Sequence, residues 1–140
     1  MENGLVDALV QTSFVTMALL TRVGAEHDLS LTQLRVLGIL RDRQLRMTEL
    51  ARYLGLDKST MSGLVDRAEK RGLLERVPNR TDGRAVDVRM AAGGAALAGQ
   101  LYAEVAASLA PLLDTLSAAD QRRLRTLLET MLASGTQVQA

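Results

Sequence analysis

Between Thr48 and Arg71 two short amphipathic stretches lie three residues apart, joined by Gly55-Leu56-Asp57. In the first, Leu50, Ala51 and Leu54 fall on one side of a helix expected over Glu49 to Leu54, with Thr48 as its N-cap. In the second, Met61, Leu64, Val65 and Ala68 recur at i, i+3, i+4 and i+7, so a helix opened by Asp57 buries one stripe and turns the rest outward. Gly72, after Arg71, is the expected left-handed stop of that helix. Two helices, each with one apolar side and with a joint this tight between them, make a helix-turn-helix.

After Gly72 the apolar period changes from helical to two. Leu74 to Val77 and Val86 to Met90 read as strands, the second with Val86, Val88 and Met90 on one face. Their connection, Pro78-Asn79-Arg80-Thr81-Asp82-Gly83-Arg84, is built of turn residues and should project into solvent. Upstream, Leu9, Val10, Phe14, Met17 and Leu20 define a helix from Leu5 to about Val23, stopped at Gly24 and apolar on more than one face, so that it needs two neighbours. Ser30, with Gln33 as capping-box partner, opens a helix to about Arg41. Beyond Ala91 an alanine-rich helix is expected through about Leu116, kinked or broken near Pro111. Ser117 with Asp120 then opens a last helix to about Leu132. The fold class expected is mainly α with a small β-hairpin wing, as one domain over residues 1–140 whose winged helix-turn-helix occupies approximately residues 31–90.

Hydrophobic residues at 47% against 24% charged belong to a folded chain, not a disordered tail. No segment approaches the roughly 18 to 20 uninterrupted apolar residues that cross a bilayer, and Glu2 and Asp7 near the start do not suit a secretory signal, so no membrane association and a cytoplasmic location are expected. The absence of cysteine closes disulfide, thiolate-metal and thiol redox chemistry. With one histidine and carboxylates scattered singly along helices, no acid, base or nucleophile set converges, and no enzyme, cofactor or metal is expected. His27 has Glu26 and Asp28 beside it, but adjacent residues on a short loop rarely point at one ion.

Net charge of +1 hides an uneven distribution: residues 31–90 hold thirteen Lys/Arg against eight Asp/Glu, while the two flanks together hold four against eight. A basic centre between acidic flanks suits a nucleic-acid surface carried on a separate scaffold. With the inward stripe of the second helix assigned, Lys58, Ser59, Thr60, Ser62, Gly63, Asp66, Arg67 and Lys70 remain outside. Small hydroxyl side chains at a helix start approach bases or phosphates closely, and the helix dipole favours phosphate there. Lys58, Arg67 and Lys70 suit backbone contacts that give affinity through counterion release. Serines at a helix start are also ordinary caps and exposed cations an ordinary solvated face. What points to DNA is their joint occurrence with the tight turn and with Arg80 and Arg84 in the hairpin tip.

These residues resemble the MarR family of bacterial transcription regulators. The resemblance is carried by Leu31-Thr32-Gln33-Leu34, Thr48-Glu49-Leu50-Ala51, Leu56-Asp57-Lys58-Ser59-Thr60-Met61-Ser62, Leu64-Val65-Asp66-Arg67, Glu69-Lys70-Arg71-Gly72-Leu73-Leu74-Glu75-Arg76 and Asp82-Gly83-Arg84, in order and at family spacing. It implies a homodimer interlocked through its terminal helices, approximately residues 3–24 and 93–134. It also implies a pseudo-palindromic double-stranded operator with half-sites about 10 base pairs apart. By motif position, Arg84 reaches the minor groove steadied by Asp82, and Ser59, Thr60, Ser62 and Arg67 face the major groove or its phosphates. Gly63 departs from the family, which often has a long side chain there. Ala91-Ala92-Gly93 replaces a Thr-x-x-Gly-like start, so the following helix should begin without a hydroxyl cap and fray. Family members often act as repressors relieved by small anionic or aromatic ligands in a pocket beside the dimerisation helices. Phe14, Met17, His27, Arg35 and Tyr102 are the candidate lining here, and the lack of cysteine makes such a switch non-covalent. The alternative is a winged-helix interaction or scaffold module that does not bind DNA.

Overall fold

The computed structural model describes residues 2–135. In chain order these form α1 (Asn3–Glu26), α2 (Leu31–Ile39), β1 (Leu45–Arg46), α3 (Met47–Leu54), α4 (Lys58–Lys70), β2 (Leu74–Pro78), β3 (Val86–Met90), α5 (Ala92–Leu113) and α6 (Ala118–Gly135). The three strands make an antiparallel sheet of order β1-β3-β2, with Leu45 opposite Val88, Arg46 opposite Asp87, and the β2–β3 hairpin in register from Leu74 opposite Met90 to Pro78 opposite Val86. This is a winged helix: α3 and α4 followed by a hairpin, packed under α2.

Local chemistry sets most of the boundaries. Ser30 accepts from the Gln33 N–H and Gln33 Oε1 takes the Ser30 N–H, the reciprocal pair that opens α2. Asp57 accepts from the Thr60 N–H at 2.7 Å to open α4. At the end of α4, Gly72 lies at φ 71°, its N–H on the Glu69 carbonyl and the Leu73 N–H on that of Ala68, a Schellman closure. Gly55 closes α3 in the same way at φ 65°.

Several expected boundaries move. The cap of α3 is Arg46, not Thr48, because β1 delivers the chain there extended and Glu49 turns back to accept the Arg46 N–H at 3.3 Å. Gly24 does not stop α1. It is buried at the closest approach of the Leu29 carbonyl, 2.8 Å from where a Cβ would stand, and the left-handed residue of the turn is Asp28 at φ 55°. Pro111 sits in the last turn of α5 without breaking it, and the helix closes at Leu113 instead of near Leu116. The start of α5 is held despite its missing cap. Ala91 N–H reaches the Leu73 carbonyl at 3.0 Å, and Gly93 and Gly94 lie against the Gly72 and Leu73 carbonyls, where any Cβ would collide.

The winged part closes its own core. Val36, Leu37, Leu40, Leu50, Met61, Leu64, Val65, Leu74 and Val88 are all buried, and each such side chain contributes about 1.5–3 kcal/mol. The long helices are different: Leu5, Phe14 and Leu132 are 63%, 64% and 72% exposed in the single chain. The hydroxyls of Thr12, Ser13, Thr16 and Thr21 bond back to carbonyls four residues earlier, so α1 presents few free polar groups between its apolar ones. Counting uninterrupted apolar residues understated this. By length and composition α1 and α5 are each long and apolar enough to cross a membrane.

Candidate nucleic-acid interface

The first turns of α4 and the hairpin face the same side of the molecule. Lys58, Ser59 and Thr60 are exposed at the start of α4, with the Ser59 hydroxyl and the Thr60 N–H both on Asp57 Oδ1. These bonds, the Thr60 N–H first, hold the Asp57 carboxyl below the usual carboxylate range. Further along, Arg67 and Lys70 are exposed. A Cβ on Gly63 would stand 3.4 Å from Arg67 Nη1, so the guanidinium lies beside the position where a longer side chain is missing.

Side-chain bonds fold the hairpin tip. Asn79 Oδ1 accepts the N–H groups of Thr81 and Asp82 and the Thr81 hydroxyl, all within 3.0 Å. Asp82 Oδ1 accepts the Arg84 N–H at 3.1 Å. Asp82 thus fixes the backbone of Arg84, and Arg80, Asp82 and Arg84 are all exposed.

Between α3, the start of α4 and the hairpin runs a groove of about 580 Å³ lined by Arg46, Arg52, Lys58, Arg76 and Arg84 above Met47, Ala51, Leu56, Ala85 and Val86, with Thr48 and Ser62 completing it. Five cations and no carboxylate line it. Val86 keeps the face of Val88 and Met90 but lies beyond the core, at this groove. Arg46, Arg52 and Arg76 were not among the sequence candidates, because only the fold brings α3 and β2 beside the start of α4. Arg76 of β2 donates to the carbonyl and hydroxyl of Ser62, each at 3.3 Å, and pairs with Asp66 at 2.8 Å and with Glu69. Asp66 and Ser62, which looked free in sequence, are therefore partners of the hairpin.

The other candidates separate. Met17, Arg35 and Tyr102 line one cavity of about 440 Å³ between α1, α2 and α5, with Leu20, Leu31, Leu34, Leu37, Gly38, Arg41, Ala98, Leu101 and Val105. Arg41 lies over the Tyr102 ring, 5.0 Å from its centre. Phe14 is exposed outside that cavity, and His27 is bonded to Glu104 of α5 at 2.6 Å. Nearby, Arg71 at the end of α4 donates to the carbonyls of His27 and Asp28 at 2.8 and 2.9 Å.

A winged helix with an exposed, hydroxyl-bearing helix start beside a cationic groove defines a DNA-binding module. The profile of the MarR family matches residues 27–85. A mutant MarR from E. coli complexed with operator DNA is 28% identical, with TM-score 0.69, covering 92% of this chain and 94% of that one. NadR in complex with 4-hydroxyphenylacetate is 23% identical at TM-score 0.77, covering 91% and 88% of the two chains. A MarR transcriptional regulator from Methanosarcina mazei is 17% identical at TM-score 0.80, covering 98% and 99%. No curated protein sequence matches the chain. Over residues 27–85 the chain matches the MarR family, its fold is the winged helix of the solved proteins of that family, and together these support a DNA-binding transcriptional regulator.

Proposed function

We propose that residues 1–140 act as one unit that pairs with a second copy to repress transcription from a pseudo-palindromic operator, and that a small aromatic or anionic ligand relieves it. The observation that carries this is the cationic groove between the start of α4 and the hairpin. On this proposal Lys58, Ser59, Thr60, Ser62, Gly63, Arg67 and Lys70 meet the major groove and its phosphates. Arg80, Asp82 and Arg84 form the wing contact, with Arg84 toward the minor groove. The relative complexed with operator DNA supports the placement.

The second copy covers the apolar faces of α1, α5 and α6, where Leu5, Phe14, Leu127, Met131 and Leu132 stand open in the single chain. Two recognition helices related by a two-fold axis then meet half-sites about 10 base pairs apart. The ligand site is the cavity beside Arg35, Arg41 and Tyr102, whose size and apolar walls suit a small aromatic ring and whose guanidinium groups suit an anion. NadR, with the same fold, was solved with 4-hydroxyphenylacetate, and this supports the class of ligand. The protein acts in the cytoplasm and has no catalytic step of its own.

The test is a fluorescence titration against fragments selected from the source genome, run at two salt concentrations beside sedimentation of the free protein. Expected are a dimer and an affinity that falls steeply with salt, by about 0.9 log units per tenfold salt for each phosphate neutralised. A monomer at micromolar concentration, or no binding to any duplex at low salt, would overturn the proposal.

A further inference from the structure

Asp87 is the one charged side chain found buried among the described residues, 4% exposed in the middle strand β3. Its two partners are neutral amides from opposite sides of the sheet: Gln44 Nε2 donates to Oδ2 at 2.8 Å and Asn79 Nδ2 to Oδ1 at 3.0 Å. Gln44 precedes β1 and Asn79 follows β2, so one carboxylate ties the entry of one outer strand and the exit of the other to the central one.

Donor and acceptor roles run one way through this chain of bonds. The N–H groups of Thr81 and Asp82 can only donate, which turns Asn79 Oδ1 toward them and leaves Nδ2 to be matched elsewhere. An ionised carboxylate only accepts, and Asp87 Oδ1 stands in the place that Nδ2 requires. Asp87 thereby selects the orientation of the Asn79 amide, and that orientation folds the turn presenting Arg80 and Arg84. We propose that Asp87 is the positioning residue of the wing, setting through Asn79 where its arginines stand. This rests on the wing arginines meeting DNA, as proposed above.

The experiment compares Asp87→Ala, Asn79→Ala, the double variant and Asp87→Asn in the full chain, with Arg84→Ala as reference. Backbone amide exchange is read at Thr81 and Asp82 in the free protein, and the salt slope of DNA binding is read on one duplex. In Asp87→Ala the two amides should exchange about tenfold faster. The slope should become shallower by up to about 0.9 for each wing arginine released. The double variant should be no worse than Asn79→Ala, because both remove one chain of bonds. Asp87→Asn should restore both readouts, since its carbonyl still accepts from Asn79 while the Gln44 amide, turned over, accepts from its NH2. Wild-type exchange and slope in Asp87→Ala, with a reduced slope in Arg84→Ala, would overturn the positioning role. Should Arg84→Ala bind as the wild type does, the wing contact itself falls, and the DNA part of the proposal with it. If Asp87→Ala does not fold, Asn79→Ala on the hairpin carries the same two readouts, and wild-type values there overturn the proposal.

Discussion

The guanidinium of Arg76 holds the hydroxyl and the carbonyl of Ser62, joining the hairpin to the outward face of α4. With Asp66 and Glu69 on its other side, one side chain spans two turns of α4. On the proposed mode of binding, helix and hairpin therefore approach DNA as a joined pair. The Ser62 hydroxyl receives a hydrogen bond from the protein and keeps its own proton to donate.

Arg76→Lys should weaken DNA binding about tenfold, because an ammonium keeps the charge but cannot fork between Ser62 and the two carboxylates. Thermal stability should change by no more than about 1 kcal/mol, the usual contribution of partly exposed ion pairs. Titration and a melting curve on the same preparation check both. A fall in melting temperature with unchanged affinity would confine Arg76 to stability.

Arg84→Ala should reduce affinity at least about tenfold while leaving the melting curve in place, since the side chain is exposed and only its backbone N–H is used in the fold. Circular dichroism melts and a titration at fixed salt are sufficient. Equal affinity would remove the wing from the mechanism.

Gly94→Ala should destabilise the protein by about 1–3 kcal/mol, as the new Cβ falls on the Leu73 carbonyl oxygen and backbone must shift. Gly38→Ala, in a helix with open space around it, should instead be neutral or stabilising by up to about 1 kcal/mol. Denaturant titrations of the pair separate crowding from helix propensity.

The Asp57 carboxyl, held below its ordinary range mainly by the Thr60 N–H, binds its proton less readily when folded than when unfolded. Its contribution is therefore complete above the unfolded value and is lost as pH falls through the lower, folded one. From pH 8 to about pH 5 this group should add no pH dependence, and below that the cap should weaken. Asp57→Asn should flatten that part of the acid limb in a stability-against-pH series. An unaltered limb would assign the acid loss to other carboxylates.

Features decided within a few residues are legible in the sequence. Asp57, the Met61-Leu64-Val65-Ala68 stripe and Gly72 form one local logic of cap, buried face and stop. The Ser30 and Gln33 pair is another. Features decided by a distant neighbour are not: β1 exists because Arg46 and Leu45 find the free edge of β3, and nothing near Gln44 announces Asp87 43 residues away. Gly24 read as a stop because glycine ends helices more often than it lets a carbonyl approach. At the candidate interface the outward residues of α4 followed from its period, whereas Arg46, Arg52 and Arg76 required knowing which elements become neighbours.

Arg71 grips the turn after α1, and Gly72 with Leu73 is bedded against the start of α5, so α4 is bolted at its heel to both long helices. Its toe, some 13 residues and roughly 20 Å away, carries Lys58, Ser59 and Thr60. A slight tilt at the heel becomes a larger sweep at the toe, by the geometry of a rigid rod.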